Sequence, residues 1–185
     1  MRIISGKWKG RRLSSAVGRS GDFSLRPTMD RVRESIFNIL AHSDIMKSSG
    51  SRVLDLFSGT GALGFEALSR GASYVCFVDS NKRSLKILNE NVSLLGVVDN
   101  IRIIKRDAKK LGINYDHKYD LIFLDPPYGK GFGECALESA VNGGWISDKA
   151  LVIWEENVEI LPPKGFTFLE KRLTGSIHLN FLRYG

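Results

Sequence analysis

From residue 52 onward, short apolar runs alternate with longer stretches in which apolar positions recur every three or four residues. The short runs Arg52–Phe57, Tyr74–Val78, Ile101–Ile104, Leu121–Leu124 and Leu151–Trp154 read as strands, the fourth extending back to Tyr119. The amphipathic stretches Ala62–Ser69, Lys82–Leu95 and Gly133–Val141 read as helices between them. Strands apolar on both faces and separated by helices predict a parallel sheet covered on both sides, an α/β doubly wound, Rossmann-like domain. The tail breaks this rhythm: Phe166–Arg172 and Ile177–Tyr184 are β-rich and joined by Thr174-Gly175-Ser176, which predicts a C-terminal antiparallel hairpin.

The N-terminal part has a different texture. Residues 5–27 are rich in Gly, Ser and Arg and are expected to form short, partly mobile strands and loops. Pro27 suits a first helical turn, and Val32, Ile36, Ile39 and Leu40 follow at helical spacing, so an amphipathic helix is expected from Thr28 to His42. Ser48-Ser49-Gly50-Ser51 reads as a linker, which divides the chain into a small N-terminal extension, 1–47, and a main domain, 51–185.

Composition narrows the class. The 185 residues, 43% hydrophobic and 25% charged, suffice for one core and exclude a disordered tail protein. No apolar run approaches the roughly 18 residues of a membrane span, and the opening MRIISGKWKG lacks the apolar stretch of a signal peptide, so a cytoplasmic protein is expected. Cys76 and Cys135 stand apart from each other and from any His cluster; both are expected in or near the core, with no metal site. His42, His117 and His178 are scattered and suit packing or the surface. The net charge of +7 is unevenly placed: residues 1–50 hold ten basic and four acidic side chains, leaving the remainder close to neutral. A basic arm before a neutral body points to a polyanionic partner such as nucleic acid, with a solubilising face as the alternative.

The first strand opens into Ser58-Gly59-Thr60-Gly61-Ala62-Leu63-Gly64, a G-x-G-x-x-G between strand and helix. Asp79 follows Gly59 by 20 residues, at the end of the second strand, where a carboxylate can accept from ribose hydroxyls. That much suits a dinucleotide dehydrogenase almost as well as a methyltransferase. Asp55, inside the first strand, would sit badly beside a pyrophosphate but suits the cationic amino group of a methionine moiety. Asp107, with Ala108, comes just after the third strand, where an acceptor can meet an adenine amino group. Three acceptors at three strand ends describe S-adenosylmethionine, a cationic ligand without phosphates, held by Asp55, Phe57, Ser58, Gly59, Gly61, Gly64, Asp79, Asp107 and Ala108.

The fourth strand ends in Asp125-Pro126-Pro127-Tyr128. A double proline is an ordinary strand terminator, but this one faces the same crevice as the glycine loop, since strands one and four would flank the switch point of the sheet. The Asp125 carboxylate and the Pro126 carbonyl can each accept one N–H of an exocyclic aromatic amine, with Pro127 stiffening the turn and Tyr128 stacking on the base. Two acceptors drawing the hydrogens toward tetrahedral geometry localise a lone pair otherwise delocalised into the ring.

With these motifs in view, the sequence resembles the bacterial small-subunit ribosomal RNA guanine-N2 methyltransferases that modify guanine 966 of 16S rRNA. The resemblance runs from Met1-Arg2-Ile3-Ile4-Ser5-Gly6 and Gly10, through Arg26-Pro27-Thr28-x-Asp30-Arg31-Val32-Arg33-Glu34, to the glycine loop and Asp125-Pro126-Pro127-Tyr128. The R-P-T-x-D-x-V-R-E stretch is its most specific part. Ser58, Thr60 and Asp79 stand where Ala, Ser and Glu are common. The resemblance implies a class I methyltransferase fold, S-adenosylmethionine as donor, and a guanine of 16S rRNA in the assembling or assembled small subunit as acceptor. It also implies that Arg26–Arg33 lies near the donor pocket and RNA entrance, with Thr28 at the donor and Arg26, Arg31 and Arg33 on phosphates.

Lys7, Lys9, Arg11 and Arg12 extend the expected RNA contact, and Trp8 among them either stacks on RNA or pins the arm to the body. Glu155 and Glu156 end the fifth strand, where solvation at the rim is expected. The rivals are a DNA adenine-N6 methyltransferase, since D-P-P-Y serves adenine equally well, and a non-catalytic RNA-binding protein on the same fold.

Overall fold

Strands with apolar side chains on both faces are stable only between two covering layers, and that requirement organises the molecule. A computed structural model of the chain describes residues 1–15, 30–41, 43 and 50–185. Seven strands form one sheet: β1 (Arg52–Leu56), β2 (Tyr74–Asp79), β3 (Ile101–Lys105), β4 (Tyr119–Leu124), β5 (Ile146–Glu156), β6 (Phe166–Thr174) and β7 (Ile177–Tyr184). Their order is β3-β2-β1-β4-β5-β7-β6. The first five run parallel, and β7 enters antiparallel between β5 and the edge strand β6. The order reverses between β1 and β4, which opens a crevice beyond their carboxyl ends.

Four α-helices are present among the described residues: α1 (Asp30–Leu40), α2 (Ala62–Ser69), α3 (Lys82–Leu95) and α4 (Phe132–Asn142). One face of the sheet is covered by α1, α2 and α3 over Val53, Phe77, Phe123 and Ile153. The other is covered by α4 with Trp145 over Leu54, Ile122, Val152 and Trp154. The start of α3 is fixed by Asn81, whose side-chain oxygen accepts from the N–H groups of Arg83 and Ser84 at 2.8 and 3.2 Å.

The bounds of α2 and α3 match the apolar periodicity. The strand β5 differs, beginning at Ile146 rather than Leu151. Its pairing with β4 shifts between Tyr119 and Leu121, and Lys149 adopts a positive φ of 60°, so a bulge carries the polar Asp148-Lys149 pair within the strand. Cys76 is buried as expected, but Cys135 is exposed, because α4 turns it away from the sheet. Thr28, Arg26 and Pro27 lie outside the described residues, as does His42.

The N-terminal residues are docked rather than detached. A bridge pairs Arg2 with Arg12, the Ile3 N–H donates to the Arg11 carbonyl at 2.9 Å, and Ile3 and Leu13 are buried in the same core cluster as Phe37 and Val53. The anchor is Glu66 of α2, fully buried. Its carboxylate accepts from the Ile4 and Ser5 N–H groups at 2.7 and 3.0 Å and from Arg70 Nε at 2.7 Å, with Arg33 Nε at 3.8 Å.

Arg33 therefore does not meet the expectation of phosphate contact. It is 1% exposed, and its Nη2 donates to Asp30 Oδ1 at 2.8 Å and to the Arg2 carbonyl at 2.6 Å. Burial pushes its pKa down, while Asp30 and Glu66 favour the charged form. Its cation is spent joining the arm, α1 and α2.

Removing one member of a buried ion network leaves its partners uncompensated. Glu66→Ala is expected to lower unfolding free energy by about 3–5 kcal/mol in a urea titration. A loss below about 1 kcal/mol, the range of surface ion pairs, would show that the network does not hold the arm.

Candidate functional site

The site is built at the carboxyl ends of the parallel strands. Leaving β1, the chain turns at Phe57, whose φ of 58° is unusual for a side chain bearing a Cβ. The Ser58 N–H then donates to the Val78 carbonyl at 3.1 Å, and the Gly61 N–H to the Ser58 carbonyl at 2.8 Å. Gly64 is required by packing: a Cβ there would lie 2.3 Å from the Phe77 ring. Ser58 and Thr60 are largely buried, and Ser58 Oγ has no hydrogen-bond partner among the described residues.

Two of the expected carboxylates hold this loop. Asp55 Oδ2 accepts from the Gly64 N–H at 3.0 Å. Asp79 Oδ2 accepts from the Gly59 N–H at 2.7 Å, and its Oδ1 accepts from the Asn81 N–H at the same distance. Asp107 caps the short 3₁₀ turn Ala108–Lys110 by accepting from the Lys109 N–H at 3.0 Å. The Ala108 side chain is buried with Leu111 in the core on the α4 side.

The D-P-P-Y turn leaves β4 beside the glycine loop, with the Asp125 N–H directed at the Leu56 carbonyl at 3.4 Å. Asp125 and Tyr128 are half-buried, Pro126 is buried and Pro127 is exposed.

Glu155 and Glu156 correct the expectation of a solvated rim: they are 2% and 4% exposed. Glu156 Oε1 accepts from the Gly129 N–H at 3.1 Å and the Asn157 N–H at 2.9 Å, fastening the residue after Tyr128 to the end of β5. Glu155 falls on the opposite face. Strand alternation places it with Ile153, as Asp55 goes with Val53 and Asp125 with Phe123, so three carboxyl groups share one face at three adjoining strand ends. Glu155 Oε1 has no hydrogen-bond partner among the described residues. The available signal was positional, since all three acids stand where an apolar strand runs out.

Crowding these acids away from water perturbs them. Burial, opposed by the Gly64 N–H and reinforced by Asp125 and Asp79, pushes the Asp55 carboxyl up to about 8. Burial, with Asp125 and Asp55 adding to it, raises Glu155 well above the ordinary carboxyl range. Such a site favours a cation and repels a phosphate. No group of three or more His, Cys, Asp or Glu residues is placed to hold a metal ion, and no helix is long and apolar enough to cross a membrane, among the described residues.

The remaining expected contacts are dispersed. Lys7, Lys9, Arg11 and Arg12 are exposed on the arm, and Arg31 is exposed on α1. Trp8 is half-buried against the core, its backbone N–H donating to Ser69 Oγ at 3.0 Å and its ring lying 5.1 Å from Lys7 Nζ. This geometry favours the pinning role.

Comparison with known proteins agrees with this arrangement. The family described as Conserved hypothetical protein 95 matches residues 1–183. The Ribosomal RNA small subunit methyltransferase D of Escherichia coli strain K12 is 33% identical over 180 residues, covering 96% of this chain and 86% of that protein. The solved structure of yhhF from Escherichia coli superposes with a TM-score of 0.82 at 31% identity, over 100% of this chain and 97% of that one. An rRNA methylase from Streptococcus thermophilus, 16% identical with a TM-score of 0.59 over 78% of this chain and 94% of that one, shares the fold. The architecture is that of the class I methyltransferases.

The Asp55 carboxyl yields a test of sign. Held neutral up to about pH 8 when folded but ionising near 3.8 when unfolded, it makes the unfolded state the better proton donor between those values. Its contribution to stability is complete below pH 3.8 and declines as pH rises toward 8. Wild-type unfolding free energy should thus fall from about pH 5 to 8 relative to Asp55→Asn, which keeps an acceptor for Gly64. Parallel profiles in urea titrations would contradict the perturbed carboxyl.

Proposed function

This chain belongs to the family described as Conserved hypothetical protein 95, and from that premise we propose that it methylates N2 of a guanine in 16S rRNA with S-adenosylmethionine as donor. The observation that carries the reading is the convergence of the Asp55, Asp125 and Glu155 carboxyls on one sheet face beside the glycine loop. Those residues fit the donor, a cation without phosphates, and disfavour a dinucleotide. When bound, it supplies a methyl group on an electrophilic sulfonium.

The chain's own residues divide the remaining work. Asp55 and the loop from Phe57 to Gly64 receive the methionine end, Asp79 the ribose, and Asp107 with Ala108 the adenine; Thr28, outside the described residues, keeps the donor role that the resemblance implies for it. Asp125 and the Pro126 carbonyl accept the two N2 hydrogens of the guanine, Pro127 stiffens the turn, and Tyr128 stacks on the base, worth about 1–3 kcal/mol. Glu156 keeps this turn in place through Gly129. Positioning of this kind supplies roughly 7 kcal/mol or more in well-oriented systems, so no strong base is needed. Lys7, Lys9, Arg11, Arg12 and Arg31 contact RNA phosphates.

The test is to incubate the protein with labelled S-adenosylmethionine and small subunits or naked 16S rRNA lacking the modification, then map the label. Label at guanine N2 is expected. Label on adenine, on DNA, or nowhere while the donor still binds would overturn the reading. Asp125→Ala should lower transfer by at least about 100-fold, the scale of losing one preorganised polar contact, while sparing donor affinity. Loss of donor binding instead would reassign Asp125.

A further inference from the structure

The near-neutral total of the main domain conceals a second concentration of cations. Residues 102–110 carry Arg102, Lys105, Arg106, Lys109 and Lys110 against Asp107 alone. Within this run Arg102 pairs with Asp116 at 3.9 Å and Arg106 donates to the Leu111 carbonyl, whereas Lys105 closes β3 opposite Asp79, at the crevice end of the sheet, with Lys109 and Lys110 following it. From the other side, the turn after Tyr128 brings Lys130 to the same rim. The two segments meet over one ring: Lys109 Nζ lies 3.6 Å and Lys130 Nζ 5.9 Å from the centre of Phe132, the first residue of α4.

This convergence differs from ordinary solvated lysines. Two ammonium groups drawn to one aromatic ring gain about 0.5–1 kcal/mol each from it but repel one another. Lys109 has Asp107 as a counter-charge, with Oδ2 3.6 Å from its Nζ. Lys130 is exposed, and so are Lys105 and Lys110 on the segment that carries Lys109. An anion placed between Lys109 and Lys130 would relieve the repulsion. The position matters as much as the charge, since a polyanion approaching Asp55, Asp125 and Glu155 meets repulsion unless cations stand at the rim.

We propose that Lys109 and Lys130, seated on Phe132, form a clamp for the phosphodiester backbone of the RNA strand that flanks the target base. The clamp rests on the rRNA reading and adds to it a second contact, on the body and independent of the basic arm. A base taken from a stack costs a few kcal/mol, and fixing the backbone at the rim lets that cost be met beside Asp125.

The experiment measures the affinity of a 16S rRNA fragment, one that the wild-type protein methylates, over a series of salt concentrations. Replacing Lys109→Ala together with Lys130→Ala should reduce the slope of log affinity against log salt by about 0.7–0.9 for each lysine. Arg at both positions should restore the slope, and Lys130→Ala alone, which leaves the Lys109–Asp107 pair in place, should keep wild-type S-adenosylmethionine affinity. Lys164→Ala, just before β6 at the opposite end of the sheet, should leave the slope as in wild type. If the double variant does not fold, Lys130→Glu on its exposed turn gives the same measurement and should weaken binding further. A folded double variant, or a folded Lys130→Glu, with the wild-type slope overturns the clamp while leaving the rRNA reading intact. A wild-type protein that neither binds nor labels rRNA overturns that reading, and the clamp with it.

Discussion

Acidic side chains crowded at the ends of adjoining strands govern this structure. Asp55, Asp125 and Glu155 lie on one face of the sheet, in or against the core, and burial, with their proximity adding to it, drives Asp55 and Glu155 toward the neutral form. The glycine loop is shaped by that constraint. Its Gly59 and Gly64 N–H groups are given to Asp79 and Asp55, so they do not stand free for a pyrophosphate as the same motif requires in a dinucleotide site. One sequence motif thus serves opposite electrostatics, and the carboxylates decide which.

Glu66 shows what a satisfied buried carboxylate looks like in this chain. Two backbone N–H groups and two arginines surround it, and the result is rigid attachment of the arm. Glu155 is equally buried but lacks a hydrogen-bond partner for Oε1 among the described residues. The contrast separates a carboxylate that binds the fold together from one whose unmet demand is directed at the crevice. Glu156, one residue on and facing the other way, belongs with Glu66: it accepts two N–H groups and fastens the D-P-P-Y turn.

The periodicity of the chain was enough to place α2, α3 and strands β1, β2 and β4 to within about a residue, because each keeps its apolar pattern for nearly the full length of the element. It was enough, too, to place Asp55, Asp79, Asp107 and Asp125 at strand ends, where residue type and position coincide. What it could not convey was pairing across distance. Arg33 sits in a run of charges that reads as a nucleic-acid contact, yet its fate is set by Glu66, 33 residues later, and by burial beneath the arm. Glu155 and Glu156 looked exposed because acids after a strand commonly are. Their burial follows from β7 pairing beyond β5, a non-local event.

Charge summed over segments failed for a related reason. A body with a net of +1 suggests no field, but the fold sorts its charges by depth. Acids collect at the bottom of the crevice, and Lys105, Lys109 and Lys130 collect at its rim, with the arm's cations exposed on the N-terminal segment. A small cation entering past the rim would favour ionisation of the buried carboxyls, and low dielectric would strengthen the resulting attraction. A polyanion is held at the rim, where its phosphates meet ammonium groups and only an uncharged base need go deeper. On the proposed reading, opposite charges at two depths would let one crevice admit a cationic donor and a polyanionic acceptor without either occupying the other's place.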